Sequence, residues 1–186
     1  MSLTGKKIVV GVSGGIAAFK AVEIVRELGR RGCEVRVVMT AAGARFVGPI
    51  TFTGITGHPA IVDLWDPAYS GEVHVELSSW CDAVVVAPAT ADLLAKAAAG
   101  MASDALLATL SCADTPVFFA PAMHSRMWKS SGTARAVEVL ARDGAHILGP
   151  TEGPLASGEH GQGRMLEAMD IVDAVQARLG ADSVSA

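Results

Sequence analysis

"KIVVGVSGGIAAFKAVEIVRELGRRGCEVRVVMT", Lys7 to Thr40, decides the fold class. Its opening, KIVVGV, is short, β-branched and closed by glycine, the pattern of a strand buried on both faces. GIAAFKAVEIVRELGRRG follows as a helix with Gly32 near its end. EVRVVMT is a second strand. Outward from this unit the pattern repeats. DAVVVAPA (82–89) and PVFFAPA (116–122) are two more continuous apolar strands, and AHILGP (145–150) is a short last one. Helices are expected at Asp92–Ala99, Asp104–Leu110, Arg126–Arg142 and Met165–Leu179, with a mixed stretch from Ala42 to Gly57 that begins helical. Doubly buried strands alternating with helices mean an α/β protein: a three-layer, doubly wound parallel sheet. Ligands in such sheets bind outside the carboxyl ends of the strands.

The 186 residues suffice for one well-buried core, and 51% hydrophobic against 18% charged residues is a globular composition. A net charge of −4 without a basic run argues against nucleic acid as the main partner. It leaves room for a small anion, which backbone N–H groups bind without side-chain charge. Cys33, Cys81 and Cys112 are odd in number and scattered. They suggest neither a disulfide framework nor a metal site, but reduced, mostly buried thiols of a cytoplasmic protein. KKIVVGVSGGIAAF mimics a secretion signal but lacks a small-x-small cleavage site. No stretch reaches the ~18 apolar residues of a membrane span.

Four stretches at strand ends carry the chemistry. In GVSGGIAAFK (11–20) a strand, a glycine-rich turn and a helix N-terminus make an anion site, to which Ser13 can add a hydroxyl; a plain tight turn is the other reading. It is neither G-x-G-x-x-G nor a Walker loop. In VMTAAGARF (38–46), Thr40 ends a strand and can cap the next helix, hold a phosphate, or both. Dinucleotide sites want Asp or Glu there. His74 opens HVELSSW, ahead of the strand that runs into PATAD. FFAPAMHSRMW (118–128) puts sulfur, imidazole, guanidinium and indole into one turn.

Together GGIAAFK, HVELSSW, PATAD, GMASD, PAMHSRMW and GQGRM resemble the homo-oligomeric flavin-containing cysteine decarboxylases, from about Lys7 to Val175. That family includes phosphopantothenoylcysteine decarboxylases and lantibiotic-type peptidyl-cysteine decarboxylases. The resemblance implies one FMN-binding decarboxylase domain over 1–186 with a flavodoxin/Rossmann-like fold. It implies homotrimers, or dodecamers of four trimers, with the flavin between subunits. The flavin phosphate would meet Ser13, Gly14, Gly15 and Thr40. The rest of the flavin would meet Phe46, Pro88, Ala89, Thr90, Ser103 and Asp104, with Met123 behind it. His74 falls on the family's catalytic base. Position 124, usually Asn and here His124, contacts the substrate carboxylate. Met127, Arg164 and Met165 fall on the substrate side. Residues 149–165 match the clamp loop that closes over the substrate cysteine.

Decarboxylating a cysteine needs an electron sink. Oxidation at the thiol-bearing carbon supplies one, and FMN can take that hydride while His74 removes a proton. Ser157 stands where coenzyme A pathway members often carry the cysteine of a final reduction. A hydroxyl is a poorer proton donor than a thiol, and the chain leaves no room for the synthetase domain that bacterial pathway enzymes commonly carry. The expectation is therefore oxidative decarboxylation of a C-terminal peptide cysteine to an aminoenethiol. Phosphopantothenoylcysteine decarboxylation is the alternative. A non-catalytic regulatory flavoprotein ranks last, because LGADSVSA is too short and weakly charged for the acidic tail such relatives carry.

Overall fold

The computed structural model describes residues 2–69 and 71–182; Met1, Ser70 of the Pro67–Val73 loop and the last four residues of the LGADSVSA tail lie outside them. Five strands, β1 (Lys7–Val12), β2 (Glu34–Met39), β3 (Ala83–Ala89), β4 (Val117–Pro121) and β5 (His146–Ile147), form a parallel sheet in the order β2-β1-β3-β4-β5. Val10 pairs with Val37 on one side and Val85 on the other. The strand period of two sends alternate side chains to opposite faces. Ile8, Val10 and Val12 enter one apolar core with α1 (Ala18–Arg30), α2 (Pro49–Thr56) and α8 (Ala168–Asp182). Val9, Val84 and Val86 enter a second with α3 (Val73–Trp80), α4 (Ala91–Ala98), α5 (Ala105–Cys112) and α7 (Ser131–Arg142). Burying each such valine or isoleucine contributes about 1.5–3 kcal/mol, which is why these runs show no polar alternation.

Helix α1 follows its apolar period: Ala18, Ala21, Ile24, Val25 and Leu28 are buried, and the chain turns away at Gly32 with φ +85°. One helix is added to the expected ones, and three expectations are corrected. HVELSSW forms helix α3, so His74 is helical. The run from Arg126 to Arg142 is broken into α6 (Ser125–Trp128) and α7, because Ser130 accepts from the Thr133 N–H and starts a new helix. The glycine-rich segment expected as a loop is an antiparallel hairpin, β6 (Thr151–Pro154) and β7 (His160–Arg164). The closing helix starts at Ala168, three residues later than expected, and Met165 belongs to the core before it. The stretch from Ala42 resolves into one 3-10 turn, Gly43–Arg45, and α2 with Pro49 at its first position. Beyond α2, Ile61 returns to the free edge of β2, where it donates to Val37 O at 2.9 Å and accepts from Met39 N at 2.7 Å. No helix among the described residues is long and apolar enough to cross a membrane.

The chain leaves β1 for β2 on one side and takes up β3 on the other. The loops after β1 and β3 therefore diverge and open a crevice at the carboxyl ends of the strands, where doubly wound sheets bind ligands.

Candidate cofactor and substrate site

A cavity of about 970 Å³ fills this crevice. The loops after β1 (13–17), β2 (40–42), β3 (90–93) and β4 (122–124) line it, and both arms of the hairpin close over it. The floor is fixed by backbone. A Cβ on Gly14 would collide with Ala42 Cβ, and one on Gly43 with Val12 O, so these loops touch chain to chain. Gly15 differs: a Cβ there would only come to 3.5 Å from Thr90 Cγ2, an ordinary contact. The space it leaves is cavity, not packing.

Ser13 is 1% exposed, and its hydroxyl proton goes to Pro88 O at 2.7 Å while its oxygen accepts from Thr90 N at 3.2 Å. It stitches β1 to β3, and its donor is committed to protein rather than to a phosphate. Thr40 Oγ1 accepts from Gly43 N at 3.0 Å, so capping is observed, and its own proton remains for a ligand. Among the described residues, the N–H groups of Gly14, Gly15, Ile16 and Ala17 donate to no protein acceptor. Thr90 caps α4 by accepting from Leu93 N, and Asp104 caps α5 by accepting from Leu107 N. Free amides, helix N-termini and one free hydroxyl around a glycine cradle are the donor set of a phosphate site. A flavin mononucleotide fits it.

Met123 N donates to Gly163 O at 3.0 Å, and a Cβ on Gly163 would strike Met123 O, so β7 lies directly on the PAMHSRMW turn. His124 is the N-cap of α6: its Nδ1 accepts from Arg126 N at 3.1 Å. In the neutral ring the proton then sits on Nε2, which faces Glu159 Oε2 at 3.2 Å; Arg126 reaches the same carboxylate at 3.4 Å. Lower on the hairpin, Glu167 pairs with Lys20 at 2.9 Å and Arg164 at 2.7 Å. Hydrogen bonds from Lys20 and then Arg164 hold its carboxyl below the usual carboxylate range.

Of the expected residues, the cavity gathers Ser13, Gly14, Gly15 and Thr40 with Thr90 and Asp104. Met123, His124, Met127, Ser157, Arg164 and Met165 join them from the hairpin side. Phe46, Pro88, Ala89, Ser103 and His74 do not line it. Pro88 and Ala89 are buried in the end of β3, while Phe46 and Ser103 face outward. His74 sits on α3 with Nδ1 buried and unpartnered. Lys20, Asp92 and Lys96 line the cavity and were not singled out. Helical spacing from the glycine turn and from PATAD was the available signal. None of the three cysteines lines it. Burial raises the Cys33 thiol to about 11 and the Cys81 thiol upward, whereas Cys112 is exposed. Among the described residues no cluster of His, Cys, Asp or Glu could hold a metal.

A phosphate cradle at the β1/β3 switch point, roofed by a hairpin, defines a flavoprotein. The chain belongs to the Flavoprotein family, whose model matches residues 1–180, and within it to the FMN-dependent cysteine decarboxylases. It is 31% identical to the solved structure of the FMN-dependent cysteine decarboxylase SpaF, with a TM-score of 0.79 over 94% of this chain and 99% of that one. A PPC decarboxylase mutant complexed with pantothenoylaminoethenethiol superposes with a TM-score of 0.83 at 28% identity, covering 93% of this chain and 97% of that one. Identity is higher to the coenzyme A biosynthesis bifunctional protein CoaBC: 48% over 174 residues for Escherichia coli (strain K12) and 49% over 173 for Mycobacterium bovis. These matches cover 93% and 92% of this chain, which spans only 43% and 41% of those longer proteins.

Proposed function

We propose that the protein is an FMN-dependent decarboxylase of phosphopantothenoylcysteine. Identity carries the choice of substrate: 45–49% to CoaBC proteins against 31% to SpaF. This replaces the peptide-cysteine expectation. The argument from chain length drops out, because the matched relatives are longer than this chain. Ser157 remains a departure, and the final reduction then uses a proton donor other than a thiol at this position.

When bound, FMN supplies the two-electron acceptor that the loss of CO2 requires. The amides of Gly14 to Ala17 and the Thr40 hydroxyl hold its phosphate. Met123, which lines the cavity, would back the flavin ring. His124 Nε2, released from Glu159, donates to the substrate carboxylate, and the hairpin 149–165 excludes water over it. His74 takes the thiol proton. Because His74 does not line the cavity of its own chain, it acts on the cavity of a neighbouring copy in a homotrimer or dodecamer. Ile16, Phe19 and Met127, which line the cavity yet are 61%, 57% and 48% exposed, are the apolar surface such a neighbour covers. Its place is the cytoplasm.

The test is anaerobic incubation of the FMN-loaded protein with phosphopantothenoylcysteine and, separately, with a peptide ending in cysteine. Repeated turnover of the former with loss of CO2 alone is expected. Reaction of the peptide only, with loss of CO2 and two hydrogens, returns the peptide reading. His74→Asn lowers kcat about 10²- to 10⁴-fold with flavin retained; an unchanged kcat removes His74 from the reaction.

A further inference from the structure

The proposed substrate carries two anionic ends, the cysteine carboxylate and, at the far end of the molecule, a phosphate monoester. The cavity offers the first His124 and the cofactor phosphate the amide cradle. The remaining charged groups that line it sort themselves. Asp104 is spent on capping α5. Asp92 and Lys96, one helical turn apart on α4, neutralise each other at 2.7 Å. Lys20 of α1 and Arg164 of β7 remain, and both line the cavity while converging on Glu167, which does not. Lys20 is 13% exposed and Glu167 is 52% exposed, so the carboxylate stands on the solvent side of the ammonium it holds. The Arg164 stem crosses Gly153, with Cδ 2.9 Å from where a Cβ would stand, so its path depends on that glycine. Two cations share one carboxylate and leave a positive charge of one. An ammonium has three N–H donors and a guanidinium five, and Glu167 takes one from each through Nζ and one guanidinium nitrogen. The others are left for an anion in the cavity.

We propose that Lys20 and Arg164, held side by side by Glu167, form the subsite that receives the phosphate monoester of the substrate. This rests on the phosphopantothenoylcysteine reading above. Lys20 and Arg164 make the contact; Glu167 is a positioning residue. The subsite explains how one cavity separates a phosphorylated small molecule from a peptide end, which carries no dianion at that distance from its cysteine.

The experiment compares kcat/KM for phosphopantothenoylcysteine and for its dephosphorylated form, using FMN-loaded wild type, Lys20→Met and Lys20→Arg. Wild type prefers the phosphorylated substrate. Lys20→Met cuts that preference about 10- to 100-fold, the loss of one charge-assisted hydrogen bond, and does so through KM. Lys20→Arg keeps most of it. An equal fall on both substrates makes the cluster a structural latch and overturns the proposal. So does a Lys20→Met protein that no longer holds FMN more tightly than riboflavin, which assigns the subsite to the cofactor phosphate. A wild type active on both forms without preference removes the subsite and leaves the proposed function standing. A wild type inactive on both removes the two together.

Discussion

The floor and the roof of the cavity are held by different physics. On the floor, the loops after β1 and β2 meet chain to chain at Gly14 and Gly43, and a hydroxyl 1% exposed ties Ser13 to Pro88 at the end of β3. On the roof, the β6–β7 hairpin is tied at its tip by Glu159 to His124 and Arg126, and at its base by Glu167 to Lys20 and Arg164. Glu159 is 48% exposed, and pairs of that kind contribute about 0.2–1 kcal/mol each. A cofactor that stays through many turnovers suits the first construction, which uses no long side chain. A substrate that must enter and leave suits the second.

The contrast is broken most directly by Gly14→Ala. The new Cβ meets Ala42, including its carbonyl carbon at 2.9 Å. Overpacking of this kind costs on the order of 1–3 kcal/mol. The variant should therefore unfold at lower urea and purify with little flavin. Full flavin content and an unchanged midpoint would mean that the floor yields as the roof does. Ser13→Ala tests the same floor without adding bulk. It removes the hydroxyl between Pro88 O and Thr90 N, a buried loss of about 1–3 kcal/mol, read by urea denaturation.

How far each region could be read before its structure was known follows the same division. The floor was legible because its signals are local: KIVVGV and DAVVVAPA are buried on both faces, and the glycine turn joins a strand to a helix. Thr40 was read both ways and both remain, since its oxygen caps while its proton is free. Ser13 lines the cavity as expected, but its bond to Pro88 was not legible, because that partner lies 75 positions away and no local pattern reports a bond of that range. The hairpin was read as a loop for a related reason. TEGP and HGQGR lack β-branched alternation, and β7 is set in place by Met123 and Ser125 rather than by its own propensity. His74 was found by motif, yet the chain's own cavity does not gather it. What its own packing does show is a buried ring nitrogen, Nδ1, without a partner.

The roof should answer weakly to single changes. Glu159→Gln keeps shape and loses charge, so stability should fall by no more than about 0.2–1 kcal/mol. Hydrogen exchange at His160 to Arg164 should quicken, and added salt should mimic the substitution in wild type. A loss as large as that of Ser13→Ala would put the hairpin in the same class as the floor.

The smallest effect is expected from acid on Glu167. Its folded carboxyl lies below the usual carboxylate range through Lys20 and Arg164. Its contribution is therefore fully present above the unfolded value and is lost as pH falls through the lowered one. Protection of the β7 amides, each exchange rate being divided into its intrinsic rate at that pH, should be flat from neutrality down to the ordinary carboxylate range and fall only beneath it. A fall in protection already near neutrality would show that another group holds the base of the hairpin.

The single rung that Ile61 adds beside β2 bears on how the protein behaves in concentrated solution. A parallel sheet has two open borders, and an open border is a template on which another chain can lay a strand. Here β5 is two residues long, too little to template anything. At the other border, Ile61 takes up the Met39 N–H and the Val37 carbonyl, and the uncovered half of β2 carries Glu34 and Arg36. Growth of the sheet by strand addition is thus blocked at both ends. Any contact between copies would then run through side-chain surfaces, and a change that loosens Ile61 should appear first as turbidity on refolding, before any loss of flavin.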